Sequence, residues 1–143
     1  MMKKILPALI LIASFSGFVS CKKSDNTTST PTPTPSTPTQ SRTVKYELTG
    51  SYTGTLIVGY TNQDGTNQLV DKLKLPWTIE VTVKGSGFTP VALTAGSEVG
   101  GYGKAGETLT GKLYVGGVEK KSATVNSTST GYIDLPAQAY QLQ

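Results

Sequence analysis

Strict alternation of apolar and polar residues is the strongest constraint in this chain. Trp77, Ile79, Val81 and Val83 alternate with Thr78, Glu80, Thr82 and Lys84. Successive strand side chains point to opposite faces, so this run lays one apolar row on a core and one polar row in water. The same period recurs. Val44, Tyr46 and Leu48 alternate with Lys45, Glu47 and Thr49, and Leu56, Val58 and Tyr60 with Ile57 and Gly59. Val91, Leu93 and Ala95 form another inward row, as do Leu109, Leu113 and Val115. Further strands are predicted at Leu69 to Leu75, Val118 to Val125 and Tyr132 to Leu135. Asn62-Gln63-Asp64-Gly65, Gly85-Ser86-Gly87 and Gly116-Gly117 separate them, because Asp and Gly tolerate positive φ. No apolar period of 3.6 is long enough for a helix. The pattern predicts an all-β fold over residues 43–143: an antiparallel, immunoglobulin-like β-sandwich of seven or eight strands, in preference to an isolated barrel. A domain of about 100 residues can bury one core.

The N-terminal part has a different character. Met1-Met2-Lys3-Lys4 is a short positive start, and an apolar run from Ile5 to Val19 follows. The run is short for a membrane span and ends in small residues, which reads as a cleaved export signal over residues 1–20. Phe18-Val19-Ser20-Cys21 resembles a bacterial lipobox, in which the cysteine is lipidated and cleavage falls just before it. Phe18 stands where that motif prefers Leu. The alternative is an ordinary secretory signal cut elsewhere, which leaves Cys21 a free thiol in an oxidising space. Lys22-Lys23-Ser24-Asp25 after the cysteine resembles lipoproteins of the Bacteroidetes group. No Asp follows the cysteine directly, which favours the outer membrane, on its periplasmic or surface face. Residues 21–42 form the anchor and linker. Ser24 to Ser41 carries no aliphatic or aromatic side chain and repeats Thr-Pro. Such a stretch cannot build a core and favours disordered, extended polyproline II, reaching about 50–60 Å as a tether. A glycosylated stalk is the sharper alternative.

Composition excludes several chemistries. Without Lys3 and Lys4, the thirteen basic residues become eleven against nine acidic ones, a net of +2. That balance implies no basic face for nucleic acid. The chain has no histidine, and Cys21 is its one cysteine. Disulfides, the usual zinc sites and Ser-His-Asp or Cys-His catalysis are therefore excluded once Cys21 is lipidated. No catalytic residue, metal site or cofactor is predicted. Glu47, Glu80 and Glu119 fall on outward strand positions and read as solvated. Asp64 fits its turn without a metal. Gly101-Tyr102-Gly103-Lys104-Ala105-Gly106 matches GxGxxG, but a dinucleotide site needs a helix after that turn, and a strand is predicted here.

The remaining candidates are binding residues. Gly96 to Glu107 is the longest irregular loop of the domain, and loops on a rigid sandwich often bind. Tyr102 at its tip suits stacking on a sugar or an acyl chain. Lys112 and Tyr114 face outward if Leu113 and Val115 face inward, which suits a partner surface. Lys120-Lys121 suits a protected edge strand. Pro76 cannot donate to a ladder, so Leu75-Pro76-Trp77 belongs at a strand start, with Trp77 plugging the core. Tyr132 is predicted as a core aromatic with its hydroxyl satisfied at a corner.

Several of these pieces fall in a familiar order. Tyr46-Glu47-Leu48-Thr49-Gly50, Val58-Gly59-Tyr60, Asp64-Gly65, Leu75-Pro76-Trp77, Leu93-Thr94-Ala95 and Gly111-Lys112-Leu113-Tyr114-Val115 together resemble the mycobacterial membrane protein small (MmpS) family. The resemblance spans Val44 to Ile133, and Leu-Pro-Trp is its most specific element. It implies an extracytoplasmic β-sandwich. It also implies assistance to exporters of the resistance-nodulation-division type, which in mycobacteria carry lipids and siderophores. Two departures stand out. Mycobacterial members have an N-terminal transmembrane helix where this chain has a lipobox. They also tend to carry a cysteine pair, and here Gly111 stands at the first of those positions.

The expectation is a lipid-anchored, non-enzymatic envelope protein, attached to the membrane at Cys21 and partnering an exporter or another envelope protein. The alternative is a surface lipoprotein that binds carbohydrate or peptide.

Overall fold

A computed structural model describes residues 41–143. The lipidation reading at Cys21, the export signal and most of the Thr/Pro stretch lie outside the described residues. Eight strands follow in order: β1 Thr43–Gly50, β2 Leu56–Thr61, β3 Asn67–Leu73, β4 Trp77–Thr82, β5 Thr89–Ser97, β6 Thr108–Val115, β7 Val118–Asn126 and β8 Asp134–Leu142. They form two four-stranded antiparallel sheets, ordered β4-β1-β6-β7 and β3-β2-β5-β8. The sheets pack face to face as the sandwich that the alternation predicts.

The core is built from the inward rows. Val44, Tyr46 and Leu48 of β1, with Leu109, Leu113 and Val115 of β6, face Leu56 and Val58 of β2 and Val91, Leu93 and Ala95 of β5. Ile133, Leu135 and Leu142 close one side. Burying each such aliphatic side chain contributes about 1.5–3 kcal/mol, so this row carries most of the fold's stability. The Tyr46 hydroxyl is also buried and donates to Thr61 O at 3.0 Å. Gly111 sits in the inward row because Leu135 fills the space its side chain would take.

At the entry to β1 the Arg42 guanidinium donates to Val83 O at 3.1 Å, Gly87 O at 3.0 Å and Thr89 Oγ1 at 2.7 Å. One side chain thus closes the Gly85-Ser86-Gly87 break between the two sheets.

Three local expectations are corrected. The last strand is longer than Tyr132 to Leu135 and runs through Pro136 to Leu142. It is an edge strand, so a residue without an N–H is tolerated in it. Tyr132 is not a core aromatic: 40% of it is exposed. The buried ring at that corner is Tyr52, which is 3% exposed. Trp77 does not plug the centre of the core either. It begins an edge strand, so it packs against the core on one side and stays half-buried.

Candidate functional site

Three loops meet at one end of the sandwich, around Tyr52. Its hydroxyl lies 2.7 Å from Ser97 Oγ, donates to Gly131 O at 3.2 Å and accepts from Gly103 N at 3.1 Å. The β1–β2, β5–β6 and β7–β8 connections are tied together by this one phenol. Close packing demands glycine at two of the contacts. A Cβ on Gly103 would meet the Tyr52 ring at 2.6 Å, and one on Gly131, whose φ is +79°, would run into Gly103 O. Gly101, whose Cβ would run into Thr55, and Gly103 therefore serve loop packing, Gly106 supplies a φ of +77° in open space, and the strand β6 follows them.

Glu107 makes the second tie. Its carboxylate accepts from Thr53 N at 3.0 Å, Thr53 Oγ1 at 2.8 Å and Lys104 N at 2.8 Å. Backbone N–H donors stabilise the charged form, those of Thr53 first and Lys104 next, so the carboxyl is held below its usual range.

Tyr102 and Tyr132 stand on this braced platform. They are 48% and 40% exposed, and their rings meet edge to face with centroids 6.0 Å apart at 85°. Aromatic pairs favour that geometry. Val99, in the same loop as Tyr102, is 89% exposed. Two large rings held open to solvent by a rigid base suit contact with a flat apolar face.

Lys112 and Tyr114 lie elsewhere, on the outer face of the first sheet. Tyr114 is six residues along β6 from Thr108, about 20 Å at 3.3 Å per residue. Each is already engaged. Lys112 Nζ contacts Glu119 at 3.1 Å, and the hydrogen bond to that carboxylate raises the ammonium above its usual range, followed by charge attraction to Glu119 and Tyr114. Lys45 Nζ sits 4.2 Å over the Tyr114 ring and 3.1 Å from Glu47. The face is a ladder of paired charges around one tyrosine.

Leu75-Pro76-Trp77 forms a third location. The Leu75–Pro76 peptide is cis, and Pro76 precedes the first β4 residue. The Trp77 ring lies 5.7 Å from Tyr60, which lies 5.6 Å from Tyr46. This aromatic row leads from the core to the sheet edge. A surface pocket of ≈ 190 Å³ beside it is lined by Glu47, Thr49, Pro76, Trp77 and Thr78.

The structure thus separates Tyr102 from Lys112 and Tyr114, and brings Tyr132 to Tyr102. Tyr52 escaped sequence reasoning. Its one signal was an aromatic ring inside the polar loop Gly50-Ser51-Tyr52-Thr53-Gly54. A hollow of ≈ 250 Å³ on the second sheet, beside Leu69 and floored by Gly59 and Gly96, was also missed. Glycine at outward strand positions was its signal. Among the described residues no three His, Cys, Asp or Glu side chains converge as metal ligands would.

Fold and side chains together define a two-sheet β-sandwich domain with exposed aromatic loops. The model of the Mycobacterium membrane protein family matches residues 5–132, and the chain belongs to this family of membrane proteins. The resemblance carried by Leu75-Pro76-Trp77 and its companions is therefore family membership, and it indicates no catalytic family. No curated protein matches the chain.

Proposed function

We propose that the chain is a non-catalytic accessory domain of the cell envelope that serves an exporter of the resistance-nodulation-division type. Lipid on Cys21 holds it at the outer membrane, residues 1–20 are removed, and residues 21–42 space the sandwich from the bilayer. The carrying observation is the family match over 5–132, which takes in the apolar leader as well as most of the sandwich. The outer face with Lys112 and Tyr114, ordered by its own ion pairs, supports a protein partner, since a preorganised surface lowers the cost of docking.

The test is cross-linking of the intact protein in its own cells, followed by mass spectrometry. Recovery of an inner-membrane exporter or its periplasmic adaptor is expected. Recovery of outer-membrane proteins alone would overturn the exporter role.

A second reading has one observation in its favour. The Tyr102–Tyr132 pair is exposed yet braced by Tyr52 and Glu107, and such preorganisation lowers the cost of binding. It suits a carbohydrate or a peptide. Glycan binding lost on Tyr102→Ala would favour that reading, and an array with no binding would end its carbohydrate form.

A further inference from the structure

Two open sheets leave four edge strands: β4 and β7 in the first, β3 and β8 in the second. Free N–H and C=O groups on an edge invite another strand, and folded proteins blunt them with bulges, proline and lysine. Three of these edges are blunted. The register of β3 on β2 shifts between Leu56 and Val58, and Lys72 adopts φ 55°. The register of β7 shifts between Leu113 and Tyr114, where Lys120 and Lys121 lie. The register of β8 shifts between Leu93 and Ala95, and Pro136 sits in the strand. Among the edge strands of the described residues only β4 has no such device within its length, Pro76 lying just before it. It pairs with β1 in unbroken register from Leu48↔Trp77 to Thr43↔Thr82, with no proline, glycine or lysine and one charge, Glu80.

The polarity of this edge follows from its ladder. Val83 N donates to Arg42 O at 3.0 Å, one step beyond the last β1–β4 pair. Bonded residues alternate along an antiparallel pair, so Val81, Ile79 and Trp77 bond to β1. Thr78, Glu80 and Thr82 therefore turn their backbone groups to the open edge. The side chains of Trp77, Ile79 and Val81 pack on the core but stay half-buried.

We propose that β4 pairs antiparallel with β4 of a second copy, joining the two first sheets across a two-fold axis at Ile79. In this register Ile79 faces Ile79, Trp77 faces Val81, and Thr78 faces Glu80. Thr78 of one copy and Glu80 of the other exchange backbone hydrogen bonds. The Ile79 pair then falls at a non-hydrogen-bonded position, where Cα atoms approach to about 4.5 Å. An axis at Glu80 would set two carboxylates face to face, which is unfavourable. The Ile79 register avoids that and covers the half-buried row of each copy with the same row of the other, as an isologous contact must. Membrane association of the family keeps copies in one surface, which raises their effective concentration and makes a short edge sufficient.

The test uses the full-length chain in its native membranes under oxidising conditions. Ile79→Cys should give a reducible covalent dimer, while the unaltered chain and Leu69→Cys, on the exposed β3 edge, should not. Glu80→Pro removes an N–H that β1 does not use, so it should leave the circular dichroism unchanged and, added to Ile79→Cys, abolish the covalent dimer in the same membranes. Ile79→Cys that stays monomeric, or that links to a different protein, would overturn the proposal. Equal linking through Leu69→Cys would do the same.

Discussion

The hydroxyl of Tyr52 donates to the carbonyl of Gly131 at 3.2 Å, joining positions 79 residues apart. The same oxygen accepts from Gly103 N, which also donates to Gly131 O at 3.2 Å, so the phenol and that backbone bond together set the spacing of the loops that carry Tyr102 and Tyr132. The exposed pair owes its geometry to this buried group.

Tyr52→Phe keeps the ring and removes the hydroxyl. Gly103 N still donates to Gly131 O at 3.2 Å, so the cost is that of the phenol's own hydrogen bonds, about 0.5–1.5 kcal/mol each. Urea unfolding should show a lower midpoint with an unchanged slope. Amide exchange at Gly103 should speed up, and an unchanged midpoint would count against the account.

Glu107 gives an acid-side prediction. Its folded pKa lies below the ordinary 4.5, so its stabilising contribution is fully present above that value. It is lost as pH falls through the lower folded value. Glu107→Gln should therefore flatten the acid limb of the stability profile and lower the plateau above it by a constant amount, leaving the slope above about pH 8 unchanged.

Tyr46 gives the opposite limb. Burial pushes its phenol from 10.0 up to about 12, with the hydrogen bond to Thr61 opposing the shift. A raised folded pKa contributes stability that is fully present below pH 10 and lost as pH rises through about 12. Alkaline titration of unfolding should show a smaller loss in Tyr46→Phe than in the unaltered chain over that window.

Leu113 lies in the β6 row and is fully buried. Leu113→Ala should cost about 2–5 kcal/mol, through lost burial plus a cavity. Tyr102→Ala and Tyr132→Ala should each change stability less, because about half of each residue already stands in solvent. Thermal unfolding of the three variants separates the core row from the loop platform.

Much of the fold was legible because burial on one face forces a period of two. Val44, Tyr46 and Leu48 announced β1, and Leu93 and Ala95 announced β5. What the period missed were places where it is interrupted. Pro136 hid the rest of β8, since a proline argues against a strand except on an edge, and edges are a property of the assembled sheet. Tyr52 and Tyr132 sit in polar loops, where sequence offers no rule for which ring turns inward. Gly103 leaves the room that the Tyr52 ring fills, and Gly131 lets its loop close on the Gly103 backbone. Trp77 kept its place at a strand start, but its half-buried state depends on β4 lying at the margin of the sheet.

Central to the proposed function is attachment to the envelope by lipid on Cys21 in place of a helix through the bilayer. The most direct measurement is intact mass and N-terminal analysis of the mature protein from fractionated membranes. The account predicts a chain that begins at Cys21, carries acyl groups and sediments with the outer membrane. A mature chain that retains residues 1–20 and sediments with the inner membrane would contradict it.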